Sequence, residues 1–191
     1  ARLMREIEIA RGGFTVFARV LGDARAPALL YLQGGPGFPA PRQRFDWVSH
    51  ALERGYQVVL LDQRGTGRST RIDSATPELI RTDVLASLRA DEIVADAEAL
   101  REEMGLDRWD VLGQSFGGFC LMHYLAAHPD SVGRALFTGG VPSIGEGADE
   151  VYRATFAKLK RRHLQFNEAY PDAEAMVREV CRHLEAQEEL L

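Results

Sequence analysis

The sequence has little of what metalloproteins and disulfide-rich proteins depend on. Only two of its 191 residues are cysteines, too few for a disulfide scaffold. It contains no CxxC or HExxH motif and no P-loop Gly-Lys-Ser/Thr. We therefore expect no metal and no cofactor. Both cysteines, Cys120 and Cys181, lie in apolar helical patterns and are predicted to be buried thiols.

The sequence also has no excess of positive charge. Lys and Arg total 23 against 28 Asp and Glu, which gives a net charge of −5. This balance disfavours nucleic acid and anionic membranes as partners. No apolar run reaches the roughly 18 residues of a membrane-spanning helix, and no charged-then-apolar signal precedes the first predicted strand. These absences favour a cytoplasmic protein and leave its oligomeric state open.

Apolar residues make up 46% of the sequence, enough for one well-packed core. Alternating residues on either side of Arg11-Gly12-Gly13 predict an antiparallel hairpin at a sheet edge. Later apolar runs, separated by helical spacing, predict strands that are covered on both faces. The pattern predicts about six strands in an α/β fold, mostly parallel after the hairpin. The apolar runs predicted to form the strands after the hairpin are 28–32, 57–61, 109–112 and 135–137.

The character of the chain changes near residue 144. A flexible Gly-Glu-Gly joint at 145–147 is followed by two helical stretches, roughly 149–168 and 173–189, and by no strand. We predict the N-terminal part of an α/β core over 1–144 and the beginning of a helical cap over 145–191.

The most informative motif is Gly-x-Ser-x-Gly at 113–117, between the strand 109–112 and the apolar helix 119–127. Glycines two positions before and after the serine permit a very sharp strand-to-helix turn. Such a turn lifts the serine hydroxyl above the end of a parallel sheet, where a base can deprotonate it. Ser115 is therefore the predicted nucleophile.

A second glycine-rich turn, Gln33-Gly34-Gly35-Pro36-Gly37, follows the strand 28–32. Its free backbone amides suit the oxyanion of an acyl-transfer intermediate, together with the amide of the residue after the nucleophile. We assign this oxyanion role to Gly35 and Phe116.

A third loop, residues 62–69 (DQRGTGRS), contains Gly-x-Gly but lacks the third glycine of a dinucleotide site. We interpret Asp62 and Arg64 as structural. They are expected to pair with each other or with backbone and to brace the loop beside the active site.

Ser115 needs a base, and none of the three histidines before the predicted cap is expected to reach it. His123 lies eight residues later on the same helix, roughly 12 Å along its axis, and His128 is farther still. Both are interpreted as packing or helix-end residues, and His50 falls on a surface helix. His163 and His183 lie in the predicted cap and could in principle hang over the site, although a cap histidine held by an orienting carboxylate would be unusual.

Together, the motifs at 34–37, 62–69 and 113–118 resemble the proline iminopeptidase (prolyl aminopeptidase) family of α/β-hydrolases. The cap onset, 149–155, resembles the larger-subunit branch of that family. The resemblance implies that Ser115 attacks the carbonyl of an N-terminal proline in a peptide. It also implies that acidic cap residues hold the free α-amine of the substrate. Gly34, Glu150 and Glu185 are the expected substrate-binding residues, with Glu188 and Glu189 as further candidates.

Two departures from the family pattern matter. Many members have histidine before Gly-Gly-Pro-Gly, where this chain has Gln33; the backbone donors are unaffected. The family's aspartate and histidine follow the cap, so the triad partners are expected beyond residue 191. Two other functions stay open, namely an esterase or other acyl hydrolase on the same scaffold and a non-catalytic hydrolase-like binding protein.

Overall fold

The structure is a computed structural model that describes residues 4–43, 45–141, 145 and 147–186. The chain divides into two compact units, Ala1–Pro142 and Ser143–Leu191. The predicted core and cap meet two residues away from this division, and the cap role of the second unit stays a prediction.

The first unit contains a six-stranded sheet in the order β1-β2-β4-β3-β5-β6. The hairpin β1–β2 is antiparallel, β2 pairs antiparallel with β4, and β3, β4, β5 and β6 run parallel. This confirms the predicted α/β fold with an antiparallel N-terminal hairpin, and β1 lies at the sheet edge. The strands are β1 (Met4–Arg11), β2 (Phe14–Leu21), β3 (Ala28–Leu32), β4 (Gln57–Asp62), β5 (Trp109–Gln114) and β6 (Val132–Thr138).

Helices cover both faces of the sheet in the first unit. Alternation along the central strands explains why these runs are apolar throughout: Leu30 and Leu32 belong to one buried cluster, whereas Tyr31 belongs to another. The first cluster packs against α3 and α4, and the second against α1. The helices are α1 (Asp46–Glu53), α2 (Thr82–Leu85), α3 (Ala90–Glu103) and α4 (Phe116–Ala127).

Because β3 to β6 are parallel, their carboxyl ends lie at one edge of the sheet. The chain goes from β3 to β4 on one side and places β5 on the other side of β3. Ligands of open α/β sheets bind where the strand order reverses in this way. The loops that follow β3 and β5 therefore meet at the position where a site is expected.

The second unit consists of α5 (Ala148–Ala169) and α6 (Ala173–Glu185). Both lie where the sequence predicts helices; α6 ends at Glu185, and residues 187–189 of the predicted stretch lie outside the described residues. Large apolar side chains along both helices are exposed, among them Phe156 and Val177. Cys181 is also exposed, so the prediction that it is buried was wrong. Its helix face is apolar, but no described residue covers it closely enough to exclude solvent.

Candidate active site

Ser115 occupies the sharp turn between β5 and α4. Its backbone has φ 51° and ψ −117°, and among the described residues it is the only non-glycine with a positive φ. Such a conformation is strained and persists only where the surrounding structure enforces it. The Ser115 amide donates to the Thr138 carbonyl at 3.2 Å, and the Gly118 amide donates to the Ser115 carbonyl at 2.8 Å. These two hydrogen bonds fix the turn on both sides.

The glycines around Ser115 are required by close backbone packing. A Cβ on Gly113 would stand 2.6 Å from the Gly117 carbonyl oxygen, and one on Gly118 would stand 2.6 Å from that of Gly139. Real Cβ atoms do not approach backbone this closely, so any side chain would push α4 away from the strand ends. Helix α4 accordingly begins at Phe116, three residues before the predicted start, and its first turn includes Gly117 and Gly118.

The loop after β3 runs against the nucleophile. A Cβ on Gly34 would stand 2.7 Å from Ser115 Cβ, and Gly35 has φ 58°, in the left-handed region. Phe116 is the first residue of α4, where a helix has free amides and a partial positive charge. Within the described residues, the Gly35 and Phe116 amides have no backbone acceptor. The structure thus brings Ser115, Phe116 and the Gly34–Gly35 loop together.

Sequence reasoning missed the Gly139-Gly140 pair that follows β6. A Cβ on Gly140 would stand 1.7 Å from the Ser115 carbonyl oxygen, and Gly140 has φ 73°. The pair therefore packs against the strand-to-helix turn at residues 113–117, which we call the elbow. The signal was present, since two adjacent glycines at the carboxyl end of a strand resemble the Gly34-Gly35 pair.

Asp62 is buried and ties several backbone segments together. Its Oδ1 accepts from the Ala40 amide at 2.9 Å, its Oδ2 accepts from the Arg68 amide at 2.8 Å, and the Arg42 guanidinium donates to both oxygens. The loop-bracing role predicted for this residue matches its backbone partners.

Arg64, in contrast, does not pair with Asp62, which corrects that alternative of the prediction. Its Nε and Nη2 donate to Asp96 of α3 at 2.8 and 2.6 Å, and both side chains are almost fully buried. Arg64 also lies over the Phe14 ring, 4.7 Å from its centroid. The loop 62–69 is thus anchored to α3 through a residue 32 positions along the chain from Arg64.

The histidines of the first unit are placed as surface or helix-end residues. His50 and His123 are exposed on α1 and α4, so His123 is not the packing residue that was one predicted option. His128 directly follows the last residue of α4, with its Nδ1 3.8 Å from Glu98 Oε2. Cys120, in contrast, is buried on α4, and burial raises the pKa of its thiol to about 12. That thiol is therefore protonated at neutral pH and does not compete with Ser115 as a nucleophile.

The carboxylates expected to bind the substrate amine lie in the second unit. Glu150 is in the first turn of α5, and Glu185 is the last residue of α6; both are exposed. His163 and His183 lie on the same two helices. Glu188 and Glu189 lie outside the described residues.

Metal ligation and membrane insertion each require a recognisable arrangement of residues. Across residues 4–43, 45–141, 145 and 147–186, no group of three or more His, Cys, Asp and Glu side chains has the arrangement of a metal site. In the same ranges, no helix combines the length and the apolar character needed to cross a membrane.

Comparison with known proteins agrees with this geometry. A proline iminopeptidase of Aeromonas sobria is 45% identical over 186 residues, and the match covers 90% of this chain and 43% of that protein. A proline iminopeptidase of Aspergillus aculeatus is 35% identical, and the match covers 91% of this chain and 43% of that protein. The crystal structure of a proline iminopeptidase-related protein from Thermus thermophilus superposes with a TM-score of 0.54 at 26% identity, covering 71% of this chain and 44% of that one.

The chain thus spans less than half the length of these relatives. The family model for the alpha/beta hydrolase fold matches residues 27–181. This range includes the loops 33–37 and 62–69 and the elbow at 113–117. The parallel sheet, the strained serine and this match lead to one assignment: the chain belongs to the α/β-hydrolase fold family and is similar to proline iminopeptidases.

Proposed function

We propose that the protein is a serine exopeptidase that releases N-terminal proline from peptides. The observation that carries the reaction type is the strained Ser115 at the head of α4, with the Gly34–Gly35 loop against it. The substrate class rests on the similarity to the Aeromonas sobria proline iminopeptidase.

The elbow suits the first chemical step. Ser115 Oγ adds to the carbonyl carbon of the N-terminal prolyl residue while its proton passes to a base. The negative oxygen of the tetrahedral intermediate accepts from the amides of Gly35 and Phe116, which have no competing backbone acceptor among the described residues. The helix N-terminus at Phe116 adds a favourable partial charge at low cost, because it is already oriented before the reaction.

The intermediate then collapses in the usual order of acyl transfer. The bond between the carbonyl carbon and the leaving nitrogen breaks, and the protonated base gives its proton to the departing amine. Water hydrolyses the resulting prolyl ester of Ser115 and frees proline. We propose that the base is a histidine oriented by an aspartate. In the first unit His50, His123 and His128 occupy exposed or helix-end positions, and the chain covers only 43% of its Aeromonas sobria relative. We therefore propose that both partners come from sequence outside these 191 residues rather than from His163 or His183.

Recognition of the free α-amine is the feature that separates this reaction from a general hydrolase. A positively charged amine is held by carboxylates, and Glu150 and Glu185 are the described candidates in the second unit. A cytoplasmic location, for an enzyme that acts on soluble peptides, stays a prediction from the sequence.

The test compares three substrates on the full-length protein. We expect release of naphthylamine from proline 2-naphthylamide, much slower release from the N-acetylated compound, and loss of both in Ser115→Ala. Fast hydrolysis of a 4-nitrophenyl ester without cleavage of the prolyl amide would reject the peptidase proposal and favour the esterase. Absence of all three activities would favour the non-catalytic binding protein.

A further inference from the structure

Gln33 is a buried glutamine in the loop that carries the proposed oxyanion donor. Its side chain Nε2 donates to the Phe38 carbonyl at 3.0 Å, which closes the loop 33–38 on itself. The residue is only 4% exposed, and its Oε1 has no hydrogen-bond partner among the described residues. A reversed amide would set two acceptor oxygens 3.0 Å apart, so the orientation is fixed by the donor.

An unpaired buried acceptor destabilises a fold, and such groups in native proteins call for an explanation. An apolar residue of similar size would avoid the unpaired oxygen but would also lose the bond to Phe38. The hydrogen bond that the structure gives the Gln33 side chain is thus its donor bond to Phe38, at a position next to Gly34 and directly after the end of β3.

Gln63, from the loop after β4, holds the same turn from the neighbouring strand. Its Nε2 donates to the Gln33 carbonyl at 3.3 Å, and both glutamines are buried. The Gln63 carbonyl in turn accepts from the Thr66 hydroxyl at 2.7 Å. Three hydrogen bonds thus run in series from the loop after β4 to the far side of the loop after β3.

We propose that Gln33 and Gln63 are positioning residues of the acyl-transfer site: their side-chain amides hold the Gly34–Gly37 turn so that the Gly35 amide faces the developing oxyanion. This inference rests on the proposed acyl-transfer function. Neither side chain supplies the oxyanion donor; each acts through the backbone of the turn.

A positioning residue should affect kcat, whereas a purely structural glutamine should affect stability alone. A displacement of an oxyanion donor by about 1 Å is enough to lower the rate about 100-fold. Gln33→Leu and Gln63→Leu are therefore expected to lower kcat by about 10- to 100-fold with KM nearly unchanged. Affinity for prolinal, an aldehyde that forms a tetrahedral adduct with the serine, should fall by a similar factor. Gln33→His should recover much of the loss, because an imidazole N–H can also donate to the Phe38 carbonyl.

Gln57, the first residue of β4, provides a matched control. Gln63 directly follows the end of that strand, and the Gln57 Nε2 likewise donates to loop carbonyls, those of Ala24 and Ala26 at 3.1 and 2.7 Å. Gln57→Leu removes a buried glutamine at the opposite end of the parallel strands, together with the bond that its Oε1 accepts from Arg5 at 2.6 Å. We expect it to lower the Tm with kcat and prolinal affinity unchanged.

The experiment measures kcat, KM, prolinal inhibition and Tm for these variants of the full-length protein, with an ester assayed alongside the prolyl amide. A lower Tm in Gln33→Leu and Gln63→Leu, while kcat and prolinal affinity keep their wild-type values, would overturn the positioning role. If the wild type cleaves the ester but not the prolyl amide, the proposed substrate fails while the ester kcat still tests Gln33 and Gln63. If the wild type cleaves neither and does not bind prolinal, both proposals are rejected.

Discussion

Gly117 packs against the Leu32 carbonyl so closely that a Cβ would stand 1.8 Å from that oxygen. The contact joins the first turn of α4 to the end of β3, and therefore joins the nucleophile turn to the start of the oxyanion loop. It fixes how far Ser115 lies from the Gly34–Gly35 turn, and it makes Gly117 a structural requirement of the site.

Gly117→Ala is therefore expected to lower the free energy of unfolding by at least about 3 kcal/mol, because backbone must move to admit the methyl group. Gly117→Val should fail to form the elbow. Gly12→Ala is the matched control: Gly12 has φ 59° with nothing within 4 Å of a Cβ. Gly12→Ala should lower the free energy of unfolding by only about 1 kcal/mol, because the left-handed backbone is its sole source of strain. Equal losses in urea unfolding for the two alanine variants would contradict the close-packing account.

Ser115→Ala should reduce kcat by about 10⁴-fold or more, since the nucleophile is removed and no neighbouring group replaces it. Its stability should be unchanged or slightly higher, because alanine keeps the strained φ while one polar group is lost. Ser115→Gly should be more stable than Ser115→Ala by about 1 kcal/mol, because glycine tolerates a positive φ. Chemical denaturation of both variants checks the strain, and retained activity in Ser115→Ala would end the nucleophile assignment.

The buried pair of Arg64 and Asp96 predicts a large effect on stability. Asp96→Ala leaves the Arg64 guanidinium, 2% exposed, without its main counter-ion. Loss of one partner of a buried pair costs about 3–5 kcal/mol. Asp83→Ala, which breaks an exposed pair with Arg81, should leave the unfolding midpoint unchanged. A small change in Asp96→Ala would mean that Glu92, 3.2 Å from Arg64, is a sufficient substitute.

Glu98 predicts a pH dependence of stability. Burial disfavours its charged form, but hydrogen bonds from Arg101, Tyr124 and Ser131 outweigh burial and hold its pKa below the ordinary value of 4.5. A carboxyl whose pKa is lowered by folding stabilises the fold above its unfolded pKa, and this contribution disappears as the pH falls through the folded pKa. Glu98→Gln should therefore lower the free energy of unfolding by about 2 kcal/mol at pH 7. The loss should become progressively smaller below pH 4.5.

The control for this pH dependence is Glu102→Gln, because Glu102 is exposed and only 3.8 Å from the same Arg101. Its stability should follow the wild type across the pH range. A Glu98→Gln deficit that stays constant from about pH 7 to about pH 3 would show that the loss comes from shape or hydrogen-bond geometry rather than from charge.

Most of the sheet and the elbow follow from local patterns in the sequence. Continuous apolar runs predict strands covered on both faces, and β3 and β4 are such strands, with every residue buried. The Gly-x-Ser-x-Gly spacing predicts the turn at Ser115 because only glycine fits where backbone approaches backbone. In each case the physical constraint acts over a few residues, so the pattern records it.

What the sequence does not reveal depends on contacts between distant positions. Arg64 pairs with Asp96 rather than with Asp62, two residues away, and Gln63 reaches Gln33 from the loop after the neighbouring strand. Helix α2 was also missed, since it is a single turn at Thr82–Leu85 with no apolar periodicity to mark it. Partners of this kind are set by how the strands are ordered in the sheet.

The most direct test of the central claim is to label the full-length protein with a fluorophosphonate and locate the adduct by peptide mass spectrometry. We expect one adduct, on Ser115, formed in parallel with the loss of prolyl amidase activity and absent in Ser115→Ala. Complete loss of that activity with the adduct on another residue, or full activity in a protein whose Ser115 has been labelled, would contradict it.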